Sequence, residues 1–144
     1  MPTRYDSNPF SYRFETPLAG DITDLQEKTM YLRTDPNIAI GLDSGSVSQG
    51  TDCVAVGKEA GKTDQGTRAL AFGTEAGETS QGTRATAVGE GAGQTNQGDY
   101  AVSFGSAAGQ ESQGDYAVAV GPQAGGVSQS AYAVAIGLQA GRTL

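Results

Sequence analysis

The chain has 144 residues, a length that suits one domain, a formal net charge of −7, and neither histidine nor tryptophan. The acidic balance argues against nucleic acid and anionic membranes as partners, because both require a basic surface. Without histidine, the chain lacks the commonest general base and metal ligand. Cys53 is the single cysteine, so an intrachain disulfide is excluded.

The first segment, residues 1–17, is rich in proline and aromatic residues. Phe10, Tyr12 and Phe14 alternate with polar residues, which is the period of an extended strand. Two interpretations stay open: a flexible leader, or an anchor peptide that docks on a larger assembly by its aromatic face. Residues 1–10 contain no apolar run, so neither a secretory signal nor a membrane-inserted segment is expected.

Residues 18–36 predict a short helix that ends at Pro36. Its apolar positions are spaced by alternating steps of four and three residues, as in a coiled-coil seam. The seam consists of Leu18, Ile22, Leu25 and Leu32, with Thr29 in the remaining position. Two heptads are too short to be stable alone, so the seam favours a helix whose chains are held together by the next domain. An ordinary amphipathic helix that packs on its own chain is the alternative.

Residues 37–144 repeat a sixteen-residue unit without insertion or deletion. Each unit has a phrase such as Val54-Ala55-Val56-Gly57, and the closing glycine recurs from Gly41 to Gly137. A strict period of this length indicates a stacked architecture. With one apolar strand, one polar strand and glycine corners per unit, the pattern predicts an all-β fold: a parallel β-solenoid of about seven sixteen-residue coils.

The side chains on the two faces of the repeated strand differ in size, but those on both faces are mostly apolar. The second residue of the phrase and the one before the phrase are small, and Cys53 is expected to be a small buried filler there. The outer face carries the bulky third residues Ile40, Val56, Phe72, Val88, Phe104, Val120 and Ile136. Such a stripe is larger than soluble monomers tolerate, so we expect three copies to bury it about a threefold axis.

Two further columns are candidates for interactions. Glutamines 49, 65, 81, 97 and 113, each followed by glycine, are expected to lengthen an outer corner and to form an amide ladder between coils there. Tyr100, Tyr116 and Tyr132 share one column with Asp52, Arg68 and Arg84 in earlier coils. The tyrosines either pack from coil to coil or bind a glycan or protein partner.

The phrase V/I-A-V/I-G, followed by a polar pair and Ala-Gly, resembles the head repeats of trimeric autotransporter adhesins over residues 38–143. That resemblance implies a left-handed parallel β-roll whose apolar strands face a threefold axis. The sixteen-residue unit of this chain is longer than the usual unit of those head repeats. Sixteen-residue units with Gln-Gly look like those in fibre or capsid-associated proteins of large DNA viruses and phages.

The resemblance implies a structural trimeric spike or fibre element of a virion, assembled in the host cytoplasm and joined to other virion proteins through residues 1–36. The alternative is an adhesin-like module, an extracellular or cell-surface fragment that recognises a host receptor or glycan. No catalytic set, metal site or cofactor is expected, because the Ser, Asp and Glu residues lie in turn columns without fixed pairing. The sequence therefore predicts a protein without enzymatic activity.

Overall fold

The computed structural model describes residues 36–142, which form a parallel β-solenoid of about six turns and contain no helix. Seven phrase strands spaced by sixteen residues enclose six complete turns, one fewer than the seven coils expected from counting the units. The predicted anchor, residues 1–17, lies outside the described residues. So does the predicted coiled-coil seam of Leu18, Ile22, Leu25 and Leu32.

Ten strands of three residues each build the solenoid. They are β1 (Ile38–Ile40), β2 (Val54–Val56), β3 (Thr63–Gln65), β4 (Leu70–Phe72), β5 (Thr79–Gln81), β6 (Thr86–Val88), β7 (Thr95–Gln97), β8 (Val102–Phe104), β9 (Val118–Val120) and β10 (Val134–Ile136). The phrase strands form a seven-stranded sheet in the order β1-β2-β4-β6-β8-β9-β10, and β3-β5-β7 form a second sheet. Chain and sheet order agree because each coil stacks on the one before it.

All strand pairs are parallel, and the register is one repeat per coil. Ala55 pairs with Ala71 and Ala71 with Ala87, so equivalent residues of successive coils lie above one another. The second sheet continues beyond its three strands through single bridges from Val47 to Thr63 and from Thr95 through Glu111 to Val127. Every column of the sequence repeat is therefore a physical column of the molecule.

The interior of the coil is filled by small side chains, as the sequence predicts. Two clusters of buried alanines occupy it, one around Ala71 and Ala87 and one around Ala108 and Ala119. Cys53 is fully buried at the position that alanine takes in later coils, in agreement with its expected role as a filler. The small second residues of the phrase strands point inward, and the bulky first and third residues consequently point outward.

The glycine that closes each phrase lies directly against the backbone of the next coil. At Gly73, φ is +132° and an added Cβ would lie 2.6 Å from the carbonyl oxygen of Gly89. Both the backbone angle and the space therefore exclude a side chain. The same approach recurs at Gly41, Gly57, Gly89 and Gly105, where an added Cβ would lie 2.4 to 2.9 Å from the nearest backbone atom of the next coil, and it sets the close stacking of the coils.

Candidate interaction surfaces: an apolar face and a tyrosine ladder

The outside of the seven-stranded sheet presents a continuous apolar face, formed by the first and third residues of each phrase strand. Phe72 is 52% exposed, Phe104 55% and Ile136 68%. The other predicted packing residues, Ile40, Val56, Val88 and Val120, are half-buried in the same sheet. The structure thus brings all seven together on one surface, and nothing in the described part of the chain covers them.

The first residues of the phrase strands widen this face by a second column. Ile38 and Val134 are exposed, and Val54, Leu70, Val102 and Val118 are half-buried. Thr86 is the single polar residue of the column. Two adjacent columns of apolar side chains over the whole height of a sheet are unusual on a monomer surface and are typical of an interface.

The three predicted tyrosines form a stacked ladder beside the apolar face. The ring centroids of Tyr100 and Tyr116 are 4.9 Å apart with an interplanar angle of 5°, and those of Tyr116 and Tyr132 are 5.2 Å apart at 2°. Tyr132, at the end of the ladder, is 75% exposed. Stacking from coil to coil, one of the two interpretations of this column, is confirmed.

Each of these tyrosines has a left-handed backbone, with φ of 58°, 57° and 62° for Tyr100, Tyr116 and Tyr132. That conformation is uncommon for residues other than glycine, asparagine and aspartate and is a clear outlier for a bulky one. Stacking offsets part of its cost, since an aromatic pair contributes roughly 0.5–1.5 kcal/mol beyond burial. The same column is left-handed in the earlier coils, with φ of 60° at Asp52 and Arg68 and 57° at Arg84, so this angle belongs to the regular corner of the coil.

Charged residues continue the tyrosine column toward the first coil. The guanidinium carbon of Arg84 lies 5.3 Å from the ring centroid of Tyr100, and Nη1 of Arg84 donates a hydrogen bond to the Tyr100 hydroxyl. One coil earlier, Nε of Arg68 lies 3.5 Å from a carboxylate oxygen of Asp52. The column is therefore charged in its first half and aromatic in its second half.

The glutamine column is buried inside the coil, and the expectation of an outer corner is wrong. Gln65, Gln81, Gln97 and Gln113 are the largest fully buried side chains of the described residues. They fit because the glycine four residues earlier leaves space: an added Cβ on Gly77 would lie 2.7 Å from Cδ of Gln81. Polarity alone predicts a surface position for glutamine, but these side chains pair their polar atoms inside the coil.

The buried amides form a hydrogen-bonded ladder that runs in one direction along the axis. Nε2 of each glutamine donates to Oε1 of the glutamine in the next coil, at 2.9 to 3.2 Å, from Gln49 through Gln129. The same nitrogens also donate to backbone carbonyls, as Gln97 does to Thr86 at 2.9 Å. The predicted amide ladder is confirmed. Among described side chains, only Oε1 of Gln49, at the start of the ladder, is buried without a partner.

The acidic column of Asp43, Glu59 and Glu75 lies at the corner after the phrase. Glu59 makes ion pairs with Lys58 and Lys62, both at 3.2 Å. The hydrogen bond from Lys62, followed by that from Lys58, lowers the pKa of Glu59 below 4.5, and Glu59 in turn raises the pKa of Lys62. These are local surface pairs. Further along the column, Nε2 of Gln94 donates to carboxylate oxygens of Glu75 and Glu78, at 3.0 and 2.9 Å.

Within residues 36–142, no group of three or more His, Cys, Asp or Glu side chains is placed to hold a metal ion. The same residues include no helix of the length and apolarity that a membrane span requires. The surfaces that the described structure offers for function are therefore the apolar face, the tyrosine ladder and the charged columns beside them.

Comparisons with known proteins give no further assignment. No protein-family model matches the chain, and neither a curated protein nor a solved structure matches it. The fold and the surfaces described above are what the chain itself provides for an inference of function.

Proposed function

We propose that the chain is a structural element of a trimeric spike or fibre of a virus or phage particle, attached through residues 1–36. In this proposal, three left-handed solenoids pack their apolar faces around one axis. The coiled-coil helix of residues 18–36 joins the three chains ahead of the solenoid, and residues 1–17 dock on another virion protein. The role is mechanical and requires neither catalysis nor a cofactor.

The observation that carries the trimer is the apolar face. Its side chains cannot turn inward, because the interior is filled by alanines and by the glutamine ladder. Phe72 and Phe104 are each more than half exposed, and covering such residues is the main source of association free energy. The apolar face repeats once per sixteen-residue coil, so a partner that covers it should have the same repeat over the same height. A second and a third copy of the chain meet this requirement.

The viral context rests on the resemblance of the sixteen-residue Gln-Gly unit to units in fibre and capsid-associated proteins. The structure is compatible with a load-bearing rod, since every coil is bound to its neighbours by backbone hydrogen bonds and by one buried amide. Such a stack has no large hydrophobic core that must form at once, and its length follows from the number of coils.

Mass in solution tests the trimer. Light scattering on the full chain should give about 44 kDa, which is three times 14.6 kDa. Phe72→Asp combined with Phe104→Asp should abolish the trimer, since carboxylates would be buried without partners. The matched control is Ser80→Asp with Ser112→Asp, which adds the same two charges in a column where Asp64 already stands. A wild-type mass of 14.6 kDa would contradict the proposal.

A second candidate function is supported by the tyrosine ladder. Three exposed and stacked aromatic rings suit a module that recognises a host receptor or glycan. Replacing Tyr100, Tyr116 and Tyr132 by serine tests this function in an assay of attachment to host surfaces and on a glycan array. Loss of attachment with an intact trimer would support the adhesin-like module, and unchanged attachment would contradict it.

A further inference from the structure

Two columns of side chains border the apolar face, and each contributes one residue per coil. The leading flank lies two residues before each phrase strand and consists of Pro36, Asp52, Arg68, Arg84, Tyr100, Tyr116 and Tyr132. The trailing flank lies two residues after each phrase strand and consists of Leu42, Lys58, Thr74, Glu90, Ser106, Pro122 and Leu138. All of these residues are exposed, so both flanks are free to contact another molecule.

Coils are counted here by their phrase strands, from β1 as the first to β10 as the seventh. The two flanks are complementary to each other in the coils that carry charge. In the second coil, leading Asp52 corresponds to trailing Lys58, and in the fourth coil leading Arg84 corresponds to trailing Glu90. The sign is therefore reversed between the second and fourth coils on both flanks together. Because the sign changes along the axis, opposite charges meet only when the coils of two copies are aligned. A uniform charge on each flank would pair equally well at any axial offset.

The two flanks also match in the last coils, where their residues are uncharged. In the sixth coil, leading Tyr116 corresponds to Pro122, and in the seventh coil Tyr132 corresponds to Leu138, which is 73% exposed. A tyrosine ring and a prolyl or leucyl side chain can bury apolar area against each other. Coils two and four thus offer an opposite charge, and coils six and seven offer an apolar surface that an aromatic ring can cover.

These pairs are not made within one chain. Arg84 and Glu90 stand on opposite borders of β6, and neither belongs to any ion pair between the described residues. Arg84 instead extends along its own column to Tyr100. Asp52 and Lys58 each make an exposed ion pair within the chain, with Arg68 and Glu59 respectively. Arg84 and Glu90 are therefore the flank charges whose ion pairing is left for a second copy of the chain.

The relative orientation of two copies decides whether their flanks can pair. When parallel chains are arranged about an axis along the solenoid, the leading flank of one chain faces the trailing flank of the next, at the same level. When two chains pack antiparallel, each flank faces itself, and Arg84 in the central coil meets Arg84 of the other copy. An antiparallel pair centred one coil earlier would join Asp52 with Arg84, but it leaves two coils of each apolar face uncovered. A closed threefold arrangement is parallel and joins opposite charges with all seven coils aligned.

We propose that neighbouring copies of this chain associate in parallel and without axial offset through their flanks. Asp52 pairs with Lys58 of the neighbouring copy, Arg84 pairs with Glu90, and the tyrosine ladder packs on the trailing flank of coils five to seven. This inference rests on the proposed trimer and specifies its orientation and register. It also gives the strained tyrosines a partner inside the assembly.

Axial offsets are disfavoured by the same residues. An offset of one coil in one direction places Arg68 against Lys58, and in the other direction it keeps a single opposite pair, Arg68 with Glu90. An offset of two coils places Asp52 against Glu90 or Arg84 against Lys58. The apolar face alone repeats in every coil and would accept all of these offsets, so the flanks supply the discrimination against them.

Charge reversal with rescue tests the inference. The variants are Arg84→Glu, Glu90→Arg, and the two together in one chain, so that each interface of the double variant regains an opposite pair. The control is Arg84→Glu with Glu111→Arg, which has the same net charge. Glu111 is exposed but lies in the second sheet, away from both flanks. Sedimentation equilibrium measures the association constant, and circular dichroism monitors the β-structure.

Each single reversal should weaken association about fivefold per interface, and thus about a hundredfold for three interfaces. The double variant should return to within about threefold of the wild type, whereas the control should remain as weak as Arg84→Glu alone. High salt should reduce all the differences, because exposed pairs are screened.

The outcomes separate this inference from the proposed trimer. A monomeric wild type would overturn the trimer and, with it, the pairing of flanks. A trimeric wild type whose association is unchanged by Arg84→Glu, or is restored equally by Glu111→Arg and Glu90→Arg, would overturn the flank pairing alone. A selective rescue by Glu90→Arg would support both.

Discussion

Nε2 of Gln97 donates a hydrogen bond of 3.1 Å to Oε1 of Gln113, one coil further along the axis, and both side chains are almost completely buried. Oε1 of Gln97 accepts in turn from Gln81 at 3.2 Å. The pair shows how the solenoid holds long polar side chains in its interior. Each amide uses its oxygen toward one neighbour and its nitrogen toward the other and toward the backbone.

Gln97→Glu should destabilise the solenoid strongly at neutral pH. The variant places a carboxylate oxygen where Nε2 now donates to the Thr86 carbonyl and to Gln113. Acceptor then faces acceptor in a buried site, and a cost of about 3 kcal/mol or more is expected in the free energy of unfolding. Because burial raises the pKa of the new carboxyl group, the penalty should shrink as the pH falls and the protonated group donates.

Urea unfolding at pH 7 and pH 4 measures this effect. Gln123→Glu is the matched control, since Gln123 is exposed and its Oε1 accepts from Gln139 and Arg142. The control should unfold like the wild type at neutral pH. An equally stable Gln97→Glu variant would contradict the buried position of the ladder.

Alanine substitution should lower the free energy of unfolding much more at Gly73 than at Gly91. Gly73→Ala would bring Cβ to 2.6 Å from the carbonyl oxygen of Gly89 at a φ of +132°, and a loss of about 3 kcal/mol or more is expected. At Gly91, with φ of +61°, the nearest atoms to an added Cβ are 3.9 Å away, so Gly91→Ala should cost only the roughly 1–2 kcal/mol of left-handed backbone itself.

Thermal unfolding of the two alanine variants, side by side, checks this contrast. Gly91 lies in a column where Glu75 and Ala107 already adopt φ of 57° and 54°, so a side chain is tolerated there. If Gly73→Ala were as stable as Gly91→Ala, the close approach of successive coils described above would be wrong.

The ion pairs of Glu59 predict a pH-dependent contribution. Its pKa in the folded state is lowered below 4.5, first by Lys62 and then by Lys58. The pairs therefore stabilise the fold at pH values above the unfolded pKa, and their contribution is lost as the pH falls through the lower, folded pKa.

Glu59→Gln should accordingly lower the Tm at pH 7, and the difference from the wild type should vanish in acid, well below pH 4.5. Tm measured by circular dichroism from pH 3 to pH 8 records this. Glu111→Gln is the control, because the Glu111 carboxylate takes part in none of the ion pairs of the described residues. A constant difference for Glu59→Gln across the range would exclude the ion pairs as its cause.

Cys53 should be inert while the coil is intact. The side chain is fully buried, and its Sγ lies 3.0 Å from the carbonyl oxygen of Gly66. A thiol reagent should label it only in denaturant, and Cys53→Ala should change stability by less than about 1 kcal/mol, since Ala69 and Ala85 occupy the same column. Rapid labelling without denaturant would show that the second coil opens.

The sequence was sufficient to predict the columns of the fold. The alternation of small and bulky residues in strands such as Val54–Val56 requires opposite faces, and the structure buries Ala55 and leaves the valines outside. The tyrosine column followed from the period alone, because residues sixteen apart must lie above each other. The strands, only three residues long, are supported by their neighbours more than by their own propensity.

The position of the glutamines could not be predicted from polarity. A glutamine is usually exposed, and only its hydrogen-bond partners in adjacent coils make burial favourable. A signal was nevertheless present: Gln81 recurs at a fixed distance after Gly77 while the residues between them vary. Constant glycine four residues before constant glutamine indicates a side chain that needs room inside the coil.

The one-way amide ladder makes the rod extensible in whole coils. An inserted unit of sixteen residues adds one glutamine that accepts from the coil before it and donates to the coil after it, so no polar group loses its partner. Each duplication would lengthen the rod by about 4.8 Å, whereas an insertion of a single residue would move Gln, Gly and Ala out of their columns together. Rod length in this protein is therefore a quantity that gene duplication can change stepwise, at almost no cost in stability.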